Sequence, residues 1–81
     1  MLKEDKVKLS NGEQIFVKEL NYGELLKLRR EGFDTETVLK YCIGEENTKK
    51  VLEMDIVDGK LVEKKIIEVN PKIFENASNN K

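Results

Sequence analysis

The side chains in this sequence that could do chemistry begin with one cysteine. The chain has 81 residues, one Cys and no His. A cysteine becomes a nucleophile when a nearby base, a cation or a helix N-terminus lowers its pKa. Cys42 follows Val38 and Leu39 on the apolar face of a predicted helix, late in that helix, and no His is present to activate it. We therefore expect Cys42 to be a buried, unreactive core thiol.

Paired carboxylates are the next candidates, because such pairs can bind a metal ion or act as acid and base. Neither Glu45 with Glu46 nor Glu53 with Asp55 has the ligand spacing of a calcium loop, and the second pair fits the solvent face of a strand. The five glycines are scattered at predicted turns and helix ends, so no Gly-rich phosphate loop is present. The residues predict no catalytic group, no metal site and no cofactor, and we expect a protein that is not an enzyme.

Charge and hydropathy restrict the partners. Fifteen basic residues and sixteen acidic ones are interspersed, so no strong field attracts nucleic acid. Lys27, Arg29 and Arg30 lie on two sides of one predicted helix, whereas a DNA-reading helix gathers its basic residues on one side. No apolar stretch approaches the ~20 residues that span a bilayer, and the first residues lack the apolar segment of a secretory signal. With one unpaired Cys, these features predict a cytoplasmic protein without a membrane contact.

The elements that position these residues begin with a β-hairpin. Four apolar residues alternate with polar ones around the Asn-Gly pair at positions 11 and 12: Val7, Leu9, Ile15 and Val17. A two-residue turn would pair Val7 with Phe16, whereas a three-residue loop over 10–12 would pair Val7 with Ile15. The second register puts the four apolar residues on one face, so we predict it. Phe16 then points away from that face and needs separate cover.

A capped helix follows the hairpin. Asn21 is a good N-cap, Glu24 can complete a capping box, and Gly32 with Phe33 predicts the end. Helical spacing predicts one buried stripe, made of Tyr22, Leu25, Leu26 and Leu28. Arg29 projects within this stripe. Either its stem packs there while the guanidinium reaches water, or this face opens onto a partner protein, where Arg is favoured.

The second half of the sequence predicts one more helix and one more hairpin. Asp34 or Thr35 caps a helix that runs to about Ile43 and stops at Gly44. Residues 45–50 are left open, either as a loop or as a short helix capped by Asn47. Alternation of apolar and acidic residues over 52–56, an Asp-Gly pair at 58–59 and Pro71 then predict two antiparallel strands.

The predicted fold is therefore α+β, in the order ββ-αα-ββ, with antiparallel hairpins packed against two short helices. Residues 1–74 form the single globular domain, and residues 75–81 have the composition of a disordered tail. Ile73 and Phe74 lie just beyond the last predicted strand. They either close the core or form an apolar contact for a partner chain.

Residues 8–32 resemble the opening of bacteriophage tail assembly chaperones, in which an L-S-N/D-G turn runs into V-x-E-L-T-x-G-x-L-x-x-L. The matching residues are Leu9, Ser10, Asn11, Gly12, Val17, Glu19, Leu20, Gly23, Leu26 and Arg29. The match covers about a third of the chain. Many such chaperones continue as helices, whereas residues 52–69 here predict a hairpin.

The resemblance implies a small, non-enzymatic cytoplasmic protein of a phage or prophage in a bacterial host. Such chaperones hold the tape-measure protein soluble while the tail tube polymerises. The residues predicted to bind the partner protein are Tyr22, Leu26, Arg29, Ile73 and Phe74. One alternative is a small mobile-element inhibitor that binds and blocks a host defence protein. A second is a nucleic-acid-binding regulator, which the charge balance disfavours. The oligomeric state stays open, a homo-oligomer included.

Overall fold

The computed structural model describes residues 2–73 and shows a two-stranded hairpin followed by helices. The elements are β1 (Glu4–Lys8), β2 (Gln14–Lys18), α1 (Tyr22–Arg30), α2 (Thr35–Ile43), α3 (Glu45–Leu52) and α4 (Ile56–Val69). Another helical turn occupies residues 71–73. The α+β class is confirmed, but the order ββ-αα-ββ is wrong because only helices follow β2 in the described part. The predicted tail over 75–81 and the side chain of Phe74 lie outside the described residues.

The hairpin has the predicted register. Val7 pairs with Ile15, and the backbone N–H of Leu9 donates to the carbonyl of Glu13 at 2.8 Å, which leaves a three-residue loop. Gly12 closes this loop with a φ of 92°, a conformation that glycine adopts without steric cost. All four apolar residues predicted for one face are buried. Phe16 lies on the opposite face and is exposed, so the separate cover expected for it is not found in the described structure.

Both predicted ends of α1 are confirmed. At its start, Asn21 and Glu24 form a reciprocal capping box: each side chain accepts a hydrogen bond from the other residue's backbone N–H, at 2.8 Å and 3.0 Å. At its end, the N–H of Phe33 donates to the carbonyl of Leu28 at 3.0 Å. This bond is the long hydrogen bond of a Schellman motif, and Gly32 supplies the positive φ that the motif requires.

Helix α2 also agrees with the sequence, and α3 resolves the open segment. Asp34 caps α2, since its carboxylate accepts a hydrogen bond from Thr37 N–H at 2.8 Å. Gly44 ends α2 with a φ of 90°, and α3 begins directly after it. Residues 45–50 are therefore helical. Asn47 is not the cap, because it lies within α3 and donates from Nδ2 to the carbonyl of Ile43 at 3.1 Å.

Helix α4 replaces the predicted second hairpin, which is wrong. The side chain of Asp55 accepts a hydrogen bond from Asp58 N–H at 2.9 Å and is the N-cap. The Asp-Gly pair at 58–59 thus lies in the first turn of a helix, not in a β-turn. Four residues at helical spacing form its buried face: Asp58, Val62, Ile66 and Val69. Pro71 begins the next helical turn, a position where a missing N–H is tolerated.

Polar contacts at both ends hold α4 against the hairpin. Near its start, the Asp58 carboxylate accepts hydrogen bonds from the backbone N–H and the hydroxyl of Ser10, at 3.1 Å and 2.8 Å. Just after its end, the side chain of Asn70 accepts a hydrogen bond from Leu20 N–H at 2.8 Å and donates to the Lys18 carbonyl at 3.2 Å. The buried side chains of α4 therefore cover the apolar face of the hairpin.

One apolar core joins the hairpin to the helices. Its buried residues are Val7, Leu9, Ile15, Val17, Leu20, Leu28, Val38, Leu39, Cys42, Ile43, Val62, Ile66, Val69 and Ile73. Cys42 is buried here as predicted, and burial raises the pKa of its thiol to about 12. Of the two alternatives for Ile73, the structure shows the one in which it closes the core.

Candidate protein-binding surfaces

The first candidate surface is one side of α1, which we name the α1 face and define as Tyr22, Leu26 and Arg29. These residues follow each other at intervals of four and three, so they lie on one side of the helix. Tyr22 is 70% exposed and Leu26 is 39% exposed. Their predicted burial is therefore wrong. Only Leu28, assisted by a half-buried Leu25, anchors the helix in the core.

Arg29 is the charged member of the α1 face. Its side chain is exposed and forms none of the ion pairs found among residues 2–73. The guanidinium lies in the last turn of α1, where the helix dipole favours a cation. It therefore offers a planar set of N–H donors to a carboxylate supplied from outside this part of the chain.

Contacts at both ends fix the orientation of α1. The Nζ of Lys18 on β2 lies 2.7 Å from a carboxylate oxygen of Glu24. Burial disfavours ionisation of Glu24, but the hydrogen bonds from Lys18 and from Asn21 N–H outweigh this and lower its pKa. After the last turn, the hydroxyl of Tyr41 donates to Glu31 at 2.9 Å, which raises the pKa of Tyr41. The α1 face is thus presented on a helix that is tied to both β2 and α2.

The two other predicted contact residues do not join this surface in the described structure. Ile73 is buried in the core, so its side chain is not available for a partner. Phe74 lies outside the described residues, and its role stays a prediction. The structure therefore brings together three of the five predicted contact residues.

A second exposed apolar surface lies along α4 and was missed by the sequence analysis. Ile56 is 79% exposed, Val57 69% and Ile67 46%. Between α4 and α2 run two adjoining hollows that share Thr35, Leu39 and Glu63 as lining residues, with volumes of about 340 and 260 Å³. The signal that could have found this surface is Asp55, a residue type favoured at helix N-caps, followed by the acidic Asp58 in the first turn.

Two further findings concern other classes of site. Within residues 2–73, no three His, Cys, Asp or Glu side chains are grouped where they could hold a metal ion. In the same part of the chain, no helix has both the length and the apolar character needed to cross a bilayer.

Comparisons with known proteins add no relative. No protein-family profile, no curated protein and no solved structure matches this chain. The resemblance to tail assembly chaperones thus depends on residues 8–32 alone and stays a prediction.

Proposed function

We propose that this protein is a non-enzymatic binding factor, a tail assembly chaperone of a phage or prophage that holds the tape-measure protein during tail assembly. The observation that carries the proposal is the α1 face, where an exposed Tyr, an exposed Leu and an Arg that forms no ion pair within residues 2–73 share one side of a helix tied to β2 and α2. Tyr and Arg are enriched at protein–protein interfaces, and they account for much of the binding energy there.

Two further points support the chaperone over other binding proteins. Leu26 and Arg29 belong to the stretch whose sequence resembles the chaperones, so the candidate contact and the resemblance fall on the same helix. The chain also continues as helices after α1, as many of these chaperones do. The departure expected from a second hairpin is therefore absent.

The charge of the α1 face indicates what it binds. An apolar helix of the partner would cover Tyr22 and Leu26, and a carboxylate on that helix would pair with Arg29. An Arg that is desolvated at the centre of an interface contributes about 2 kcal/mol or more, which is a loss of about 30-fold in affinity when it is removed.

The test is co-expression with the tape-measure protein of the same phage or prophage, followed by affinity purification and titration. Wild-type protein should retain the tape-measure protein, and Arg29→Glu should lose it. Lys27→Glu is the matched control, because it makes the same charge change in the same helix but on another side. Both variants should keep the wild-type melting temperature within about 2 °C, since surface substitutions change stability little.

Three results would contradict the proposal. One is equal retention of the tape-measure protein by wild type and Arg29→Glu. Another is equal loss in Arg29→Glu and Lys27→Glu. The third is the absence of tail genes beside this one together with capture of a purified host defence enzyme, which would favour the inhibitor instead.

A further inference from the structure

Four exposed or half-buried residues form a stripe along α4 that the core does not use. We name it the α4 stripe, and its members are Ile56, Lys60, Glu63 and Ile67. They are spaced by four, three and four residues, so they lie on one side of the helix and span about 16 Å. The order along the stripe is apolar, basic, acidic, apolar.

This order is complementary to itself when the helix is reversed. Ile56 and Ile67 lie equally far from the middle of the stripe, and so do Lys60 and Glu63. An antiparallel second copy would therefore place its Ile67 opposite Ile56 and its Glu63 opposite Lys60. A two-fold axis would repeat both pairs, which is the property that an isologous interface requires. We propose that this chain forms a homodimer in which two α4 helices pack antiparallel along the α4 stripe.

The hollows beside α4 have the shape that such packing needs. The hollow of about 340 Å³ lies at the Ile67 end and is lined by apolar side chains of α2, among them Val38 and Leu39. The hollow of about 260 Å³ lies at the Ile56 end, against Val51 and Met54. In the antiparallel pair, Ile56 of one copy enters the larger hollow of the other copy, and Ile67 enters the smaller one. Each copy thus covers the exposed apolar ends of the other.

Gly59 independently indicates that a second helix approaches α4 closely. It lies inside α4, where glycine is less favourable than alanine by about 1 kcal/mol. A Cβ placed on it would meet no atom within 4 Å, so the packing of one chain does not require glycine there. Gly59 lines the smaller hollow, and its missing side chain lets a second helix approach the backbone of α4.

The charges of Lys60 and Glu63 favour a second copy of this chain over other partners. Within one chain, Lys60 Nζ lies 3.3 Å from Glu63 Oε1, and both side chains are largely exposed. In the dimer each of them also faces the opposite charge of the second copy. A partner of another sequence would need the reverse arrangement at all four positions, whereas a second copy has it by symmetry.

The first experiment measures the mass of the full chain by sedimentation over a range of concentrations. We expect a concentration-dependent shift from 9.4 kDa to twice that mass. Ile56→Glu should raise the dimer dissociation constant at least about tenfold, since it buries a charge at an apolar contact. Val57→Glu is the matched control, because Val57 is a neighbour of similar exposure that lies outside the stripe. It should leave the dimer unchanged.

A mixing experiment tests the register without depending on any single variant. Lys60→Glu alone and Glu63→Lys alone each place like charges opposite each other, so each variant should dimerise about tenfold or more weakly than wild type. Mixed together, the two variants should form a heterodimer, because every interchain pair is then opposite in charge. Arg29→Glu should dimerise normally, since no α1-face residue lines either hollow.

Any of three outcomes would overturn the proposal. One is a protein that stays monomeric at all concentrations up to about 1 mM. A dissociation constant above that value corresponds to less than about 4 kcal/mol of binding free energy. Another is an equal effect of Ile56→Glu and Val57→Glu. The third is a mixture of the two charge variants that stays as monomeric as its components.

Discussion

Removing the side chain of Asn70 should destabilise this protein more than the loss of one ordinary hydrogen bond. The residue is buried and its amide contacts three segments of the chain, the third through a 3.7 Å contact of Nδ2 with the sulfur of Cys42. Its Oδ1 accepts from Leu20 N–H at 2.8 Å, and its Nδ2 lies 3.2 Å from the carbonyls of both Lys18 and Ile66. Asn70→Ala deletes all of these bonds, although its backbone N–H still donates to Ile66.

The size of the loss follows from the groups that are left without partners. An unsatisfied buried N–H at Leu20 costs about 1–3 kcal/mol. The small cavity left by the amide adds about 1 kcal/mol. We therefore expect a loss of about 3 kcal/mol in the free energy of unfolding, which lowers the melting temperature by roughly 10–20 °C in a domain of this size.

Urea denaturation followed by circular dichroism measures this loss, provided that the m-value stays constant between variants. Asn47→Ala is the matched control, because it removes an amide that bonds only one carbonyl, that of Ile43. It should cost less than about 1 kcal/mol. A loss below 1 kcal/mol for Asn70→Ala, or an equal loss in both variants, would refute the role given to Asn70.

Three other predictions concern the hairpin loop and the core thiol. Gly12→Ala should lower the free energy of unfolding by about 1 kcal/mol, because the φ of 92° is unfavourable for alanine. The cost is conformational, since no atom lies within 4 Å of the new Cβ. An unchanged melting temperature would contradict the bulged loop. Native Cys42 should react slowly with thiol reagents at pH 8 and quickly in denaturant, because burial raises its pKa to about 12; fast native labelling would contradict this. The same shift means that the unfolded chain loses the thiol proton first, so stability should fall more steeply between pH 9 and about 12 in wild type than in Cys42→Ala, where the raised pKa values of Tyr41 and Lys65 remain.

The first half of the fold could be predicted because its signals act over a few residues. The loop at Gly12, the capping box of Asn21 and Glu24, and the stop at Gly32 each depend on backbone groups no more than four positions away. Such signals are fully present in the sequence. The register and both ends of α1 are therefore confirmed.

The second half could not be predicted in this way, because its local signals are ambiguous. An Asp-Gly pair fits both a β-turn and the first turn of a helix, and short apolar runs fit both periodicities. The contact that accompanies the helix is the one between Asp58 and Ser10, which are 48 positions apart. No local pattern reports a contact at that distance.

The candidate site was predictable only as a set of residues. Helical spacing places Tyr22, Leu26 and Arg29 on one side, but the same spacing is expected whether that side is buried or exposed. Their exposure depends on which elements cover α1, and this depends on the placement of α2, which packs against α1. The α4 stripe was missed for a related reason. The sequence predicts strands in this region, and Ile56 and Lys60 share a face only if the segment is a helix.

The packing of α4 against the hairpin has a consequence for synthesis on the ribosome. The apolar face of the hairpin, with Val7 and Val17, stays partly uncovered until α4 has been made, because α4 packs on both strands and Asn70 bonds Lys18 across 52 positions. At translation rates of about 5–20 residues per second, that interval lasts roughly 3–10 s. An isolated two-stranded hairpin is marginally stable at best, so we expect this hairpin to become stable only after α4 has packed on it.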